Sequence, residues 1–284
     1  MERPLVVGLG EILWDMFPTG PQFGGAPANF ACAAACQLGD TAMVEMVSAV
    51  GPDDLGTQAI AALAGQGVGN QCVQVGTLPT GQVLVSLDAK GMATYRFAEQ
   101  QAWDEIHWDS DLERLARACQ VVCFGTLAQR AHVSRATIEK FLAVAQQAFR
   151  LFDINIRQPY FSPEVALTGL RLANVVKLNE EELPVVGGFI GASGDWRAVA
   201  KQIRERFQLQ YLAVTRGAEG AYLLSSEQEH FAAAPAIQVT STVGAGDTYA
   251  AALVAGILAG RSIPEINQAA VILAANVCSA LRAT

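Results

Sequence analysis

Short apolar runs recur along the chain at residues 5–8, 43–50, 121–124, 150–154, 173–178, 211–215 and 221–224, most of them closed by glycine or a polar position. Runs of this length, apolar on both sides of the chain, mark strands buried on both faces of a sheet. Between and after them lie helix-compatible segments at 29–38, 56–65, 134–149, 245–259 and 263–281, with Gly39 as a stop signal for the first. Strands that alternate with helices in this way predict βαβ units. The expected architecture is α/β: a doubly wound, mostly parallel sheet with helices on both faces. One stretch breaks the rhythm. Residues 81–97 mix polar and apolar positions on either side of the turn signal Ala89-Lys90-Gly91, which describes a β-hairpin with one wet face. Residues 11–17 add a further strand to it. Such a small sheet is a candidate lid that excludes water from a reacting site.

Composition narrows the classes. Of the 284 residues, 51% are hydrophobic and 16% charged, enough for a large core, and no linker, repeat or low-complexity tract divides the chain. We therefore expect one domain over 1–284, with a β lid formed by about 11–23 and 81–102. The formal net charge of −8 argues against nucleic acid or an anionic membrane surface as partner. It leaves room for a small anion held by backbone N–H groups. The apolar run at 249–260 is too short to span a bilayer. The start, Met1-Glu2-Arg3-Pro4, leads into an apolar run that stops at Gly8 without a secretory pattern, so the sequence reads as cytoplasmic. Cys32, Cys36, Cys72, Cys119, Cys123 and Cys278 form no Cys-x-x-Cys pair and read as ordinary thiols.

The sharpest local signal is Thr242-Val243-Gly244-Ala245-Gly246-Asp247-Thr248, placed directly before a long apolar helix. Glycines let backbone N–H groups approach a ligand, and a helix N-terminus attracts anions. Asp247 sits in the first turn, where a carboxylate also serves simply to stabilise the helix end. An anion nest with a carboxylate beside it is what phosphoryl transfer to an alcohol requires: donors for the transferring oxygens and a base for the hydroxyl.

Gly244-Ala245-Gly246-Asp247 closely resembles the signature of ribokinase-type sugar kinases, the phosphofructokinase-B family. Three further segments agree in order: Gly24-Gly25-Ala26-Pro27-Ala28-Asn29, Asn179-Glu180-Glu181-Glu182, and Thr215-Arg216-Gly217-Ala218-Glu219-Gly220. The resemblance implies a ribokinase-like fold and an ATP-dependent sugar kinase using ATP and Mg²⁺, with a homodimer through the lid. It assigns Asp247 as base and Gly244, Ala245 and Gly246 as the nest for the γ-phosphoryl. Gly24, Gly25, Asn29 and Asp15 would contact sugar hydroxyls, with Phe97 as an apolar wall. Asn179 and Glu182 would hold Mg²⁺ through water, Glu182 as its carboxylate ligand, and Thr215, Gly217 and Gly220 would lie near the nucleotide. Asp153-Ile154-Asn155-Ile156-Arg157 is similar to an Asp-x-Asn-x-Arg element of fructokinase-like and ketodeoxygluconate-kinase-like members, which makes Arg157 a partner for transferred charge.

Each of these residues also has a plainer reading. Asn29 opens a predicted helix and would cap it; three glutamates near a helix start complement its dipole; Thr-Arg-Gly between strands is an ordinary turn. The chain departs from the family at Ser241, where members often carry an aspartate that contributes to a monovalent-cation site. D-fructose is the leading substrate, with ribose, ketodeoxygluconate, other hexoses and nucleosides as alternatives, and Tyr95, Arg96, Phe97 and Gln129 as positions that set the choice. Two other classes compete. A nicotinamide dehydrogenase would use Gly8-Leu9-Gly10, but Leu13 stands where the third glycine of that fingerprint belongs. A non-catalytic sugar or nucleotide sensor would keep the fold without the chemistry.

Overall fold

The computed structural model describes the backbone of residues 3–87 and 93–279, and the side chains of these outside 85–95. In chain order the elements are β1 (Leu5–Leu9), β2 (Leu13–Phe17), β3 (Gly20–Gly24), α1 (Ala26–Leu38), β4 (Met43–Val50), α2 (Asp54–Gly65), β5 (Val73–Val75), β6 (Gly81–Leu87), β7 (Ala93–Phe97), α3 (Ser110–Ala118) and β8 (Val121–Phe124). There follow α4 (His132–Val144), β9 (Phe149–Asp153), α5 (Pro163–Leu172), β10 (Val175–Asn179), α6 (Glu182–Phe189), α7 (Trp196–Arg206), β11 (Tyr211–Thr215), β12 (Gly220–Leu224), β13 (Glu229–Ala233), α8 (Ala245–Leu258) and α9 (Ile263–Ser279).

The main sheet has nine strands in the order β13-β12-β11-β10-β9-β8-β1-β4-β5. Every pairing from β5 to β11 is parallel, and only β12 and β13 run antiparallel at one edge. Alternation along the strands sorts side chains to two cores. Val6, Val121, Leu151, Val175 and Ala213 meet α1, α2, α8 and α9, whereas Val7, Val122, Phe152, Val176 and Val214 meet the layer built from α3 to α7. This is the two-faced burial that the apolar runs predict. Helix α8 is buried almost all round, between the sheet, α1 and α9, which explains why its sequence is apolar on every side.

A second sheet, β3-β2-β6-β7, stands apart from the first. It contains the predicted hairpin, extended by two strands from the amino-terminal segment; β2 pairs with β6 in parallel and with β3 in antiparallel register. The turn at 89–91 and the predicted end of the last helix at 281 lie outside the described residues. Beyond β7 the chain leaves the sheet and makes a short 3₁₀ turn at Ala102–Glu105. Chain order therefore joins the two sheets at four places: residues 10–12, the segment after Gly24 that leads through α1, residues 76–80 and the segment after Phe97.

Several elements exceed the sequence-based expectation. Helix α1 starts at Ala26, with Pro27 in its first turn, so Asn29 lies inside the helix rather than capping it. Helix α4 covers 132–144 and is followed by a turn before β9 starts at Phe149. Helices α3, α5, α6 and α7 and strands β3, β5 and β13 have no counterpart among the predicted elements.

Candidate active site

Because β1, β8, β9, β10 and β11 are parallel, their carboxyl ends share one edge of the sheet, the edge at which open α/β sheets hold ligands. Gly10, Gly125, the segment 154–157, Asn179 and the turn after Thr215 all emerge there. The N-termini of α1 and α8, two helices packed on each other, complete it.

Gly244 caps α8 with φ +82°, a left-handed conformation that suits glycine. Asp247 is the third residue of the helix. Of the N–H groups at this helix entry, that of Ala245 is turned to the Thr242 carbonyl at 3.3 Å. Those of Gly246 and Asp247 belong to the first turn, where helix geometry supplies no partner four residues back. Burial pushes the Asp247 carboxyl up to about 6, and the nearby Asp153 adds to that rise; Lys177, the neighbouring Asn29 amide and the charge of Arg157 oppose it. Asn29 thus lies beside the candidate base, which brings the amino-terminal motif to the carboxy-terminal one.

Glu11 follows β1 and is 2% exposed. Its Oε1 accepts the N–H of Ala26, the first residue of α1, at 3.3 Å, while Oε2 is buried without a hydrogen-bond partner. Burial raises its carboxyl to about 7, with Arg157 pulling the other way and Asp247 reinforcing the rise. Gly25 closes the same corner with φ +105°, and a Cβ there would run into the Glu11 carbonyl. We expect Gly25→Ala to cost about 1–3 kcal/mol through backbone strain, seen as a fall of a few degrees in Tm; an unchanged melting curve would contradict this packing. Gly24, the last residue of β3, has its Cβ position 2.9 Å from Asp15 Oδ2, so the glycine leaves space for that carboxylate. Asp15 itself lies on β2, half-buried.

Asn179 and Thr215 are paired neighbours at the ends of β10 and β11. Asn179 Oδ1 accepts the N–H groups of Glu181 and Glu182 at 2.9 and 2.8 Å, and so caps α6. Glu182, 5% exposed, accepts from Ile156 N at 2.8 Å and Asn179 N at 2.9 Å. Burial raises its carboxyl, and Lys177 counteracts that. Both carboxylate oxygens are thus engaged by backbone donors. This fits a hydrated magnesium touched through water better than direct ligation, and no cluster of three or more His, Cys, Asp or Glu positioned for a metal occurs among the described residues. Gly217 has φ +49° in the turn after β11. Gly220 has φ +125°, and a Cβ on it would strike the Ala232 carbonyl of β13, so its glycine is explained by strand packing. Arg216 is held by Glu219 at 2.9 Å and lies over the Trp196 ring at 4.4 Å.

Three expected contacts look elsewhere. The Phe97 ring packs edge-on against Tyr160, centroids 5.5 Å apart, and so anchors the end of β7. Gln129 is buried, with its amide donating to Gly125 O at 2.7 Å. Arg157 is exposed, with its Nη1 donating to its neighbour's carbonyl at 3.2 Å. Two participants went unassigned in the sequence. Lys177 and Glu11 are charges set in apolar strand contexts, Val175-Val176-Lys177-Leu178 and Val6-Val7-Gly8-Leu9-Gly10-Glu11, and a charge in such a run is the signal that would have found them.

Residues 19–284 match the family model described as pfkB family carbohydrate kinase. The chain belongs to the pfkB family of carbohydrate kinases. Among curated relatives of this kinase, the fructokinase of Klebsiella pneumoniae is 33% identical over 97% of this chain and 92% of that protein. The fructokinase of Escherichia coli is 31% identical with the same coverage of both chains. In three dimensions the kinase superposes on a sugar kinase from Pyrococcus horikoshii with a TM-score of 0.83 at 23% identity, covering 98% and 93% of the two chains. A fructokinase with bound ATP from Xylella fastidiosa gives a TM-score of 0.80 at 24% identity, covering 97% and 91%. The ribokinase-like fold expected from the motifs is therefore the fold observed.

Proposed function

We propose that this kinase transfers the γ-phosphoryl group of MgATP to a hydroxyl of D-fructose, forming fructose 6-phosphate and ADP. The observation that carries the reading is the meeting of the two motifs: Asn29, from the double-glycine segment, lies beside Asp247, the carboxylate at the mouth of the α8 nest, and favours its ionised form. Full-length fructokinase relatives support the sugar, and the ATP-bound fructokinase of the same fold supports the nucleotide.

In this reading Asp15 and Asn29 hold sugar hydroxyls beside the space that Gly24 and Gly25 leave open. The N–H groups of Gly246 and Asp247 face the γ-phosphoryl, and Arg157, exposed beside Asp247, swings to neutralise it. Thr215, Gly217 and Asn179 would border the nucleotide, and Glu182 would hold Mg²⁺ through water, the ion supplying positive charge against the phosphates. Asp247 orients the acceptor hydroxyl and takes its proton late, as the bond to the leaving ADP lengthens. The lid, hinged near Glu11 and anchored through Phe97, closes over the sugar. The domain comprises residues 1–284 with this lid as an appendage. A lid-to-lid homodimer would cover Leu84, which is 56% exposed on β6. No helix of the described residues is long and apolar enough to cross a membrane, which agrees with action in the cytoplasm.

Steady-state rates with MgATP and a panel of fructose, ribose, ketodeoxygluconate, glucose and adenosine test the substrate. We expect kcat/KM for fructose to exceed the others by at least about tenfold. A preference for another member would keep the kinase and retire fructose.

A further inference from the structure

Beneath the proposed nest lies a charge that these assignments leave without a task. Lys177 sits near the end of β10 and Asp153 at the end of β9, and the two are register partners in parallel strands. They fall on the same side of the sheet as Leu151 and Val175, the side that meets α8. Both side chains are almost wholly buried, and the ammonium bonds both carboxylate oxygens, at 2.8 and 2.9 Å. A Cβ on Gly246 would lie 3.0 Å from Lys177 Nζ, so the glycine in the middle of the nest rests on the ammonium. Taken alone, burial would lower the pKa of such a lysine. Asp153, Glu182 and Asp247 together outweigh that and keep it charged.

We propose that Lys177 is a positioning residue for phosphoryl transfer: its ammonium, pinned under Gly246 by Asp153, holds positive charge beneath the first turn of α8, where the transferring phosphoryl and the Asp247 carboxylate meet. A fixed cation in a poorly hydrated site costs no reorganisation when negative charge arrives, and interacts with it far more strongly than it would in water. Asp153 restrains the flexible lysine stem, and two of the three ammonium protons are accounted for by its oxygens. A purely structural pair is the competing reading, since a buried pair that loses one partner destabilises a fold whatever else it does.

The inference rests on Asp247 being the base, and the test separates the two. The groups facing Asp247 are Asp153 and Lys177 from the sheet, Arg157 after β9, Glu11 after β1, Cys123 on β8 and Asn29 on α1. Three variants, Lys177→Met, Asp153→Asn and the double variant, are compared with wild type by kcat, KM for both substrates, and the pH dependence of kcat, each after a melting curve. Lys177→Met removes the cation and is expected to lower kcat about 100-fold while moving the acid limb to higher pH. Asp153→Asn removes the anion and moves that limb to lower pH. The double variant leaves no unpaired buried charge, folds, and keeps the roughly 100-fold loss in kcat with KM values near wild type. Recovery of kcat in the double variant to within about threefold of wild type would overturn the proposal and leave the pair a structural one. Should Lys177→Met fail to fold, the double variant alone decides. An Asp247→Asn enzyme that kept its turnover would sink the base assignment instead, and the kcat of the double variant would still decide for Lys177.

Discussion

Asp247→Asn is expected to lose turnover by about 10²–10⁴-fold, the range for removing a general base, while fructose affinity stays within about an order of magnitude. The asparagine keeps the shape of the first turn of α8 and still meets Asn29, so binding survives. What disappears is the acceptor for the hydroxyl proton. In the wild-type enzyme the carboxyl is raised to about 6 by burial and by the nearby Asp153. It must be ionised to act, so kcat falls as pH drops through about 6 and is level above it. A variant with near wild-type kcat, or a wild-type profile with no acid limb between pH 5 and 7, would remove Asp247 from the mechanism.

The second large effect concerns stability and centres on Glu11. Its carboxyl rises from an ordinary 4.5 to about 7 on folding, because burial leaves Oε2 without a partner. Between these values the folded protein holds a proton that the unfolded chain has released. Stability is therefore fully present below pH 4.5 and declines as pH rises through about 7, by about 3 kcal/mol from this group. Asp247, raised from 3.8 to about 6, tilts the curve the same way. Glu11→Gln keeps an acceptor for Ala26 N and has no charge to bury. Denaturant unfolding at pH 5 and pH 8 should show a smaller drop for the variant and a variant more stable than wild type at pH 8. Equal slopes for the two proteins would show that Glu11 finds a partner in solution and is ionised throughout.

Glu11 and Lys177 also mark how far the sequence could be read. The parallel sheet was legible because runs such as Val121-Val122-Cys123-Phe124 are apolar on both faces, and two-sided burial leaves no other pattern. The β6–β7 hairpin was legible from the opposite feature, mixed faces around a turn. Helix α7 was not, because it is a surface helix rich in Arg and Lys, of which only Ala200 and Ile203 are fully buried. Edge strand β13, Glu-His-Phe-Ala-Ala, carries too little apolar character to stand out. At the site, the glycine motifs could be located because glycine at a helix entry has few other uses. Gly220 shows the limit, since its conformation serves the Ala232 backbone of the next strand. Asn29 shows another. The capping reading placed the helix start too late, although Pro27 already signalled an earlier one. The Lys177–Asp153 pair depends on the register between β9 and β10, and Asn29 meets Asp247 across more than two hundred residues of chain. Such pairings are set by the fold as a whole, and no local pattern carries them.

The most direct test of the account follows both products in one reaction: purified enzyme, MgATP and a limiting amount of fructose, with ADP and sugar phosphate measured together. One ADP and one fructose 6-phosphate are expected for each fructose consumed, with negligible ADP when no sugar is present. ADP formed without a sugar phosphate, or a folded enzyme that phosphorylates no sugar in the panel, would contradict it.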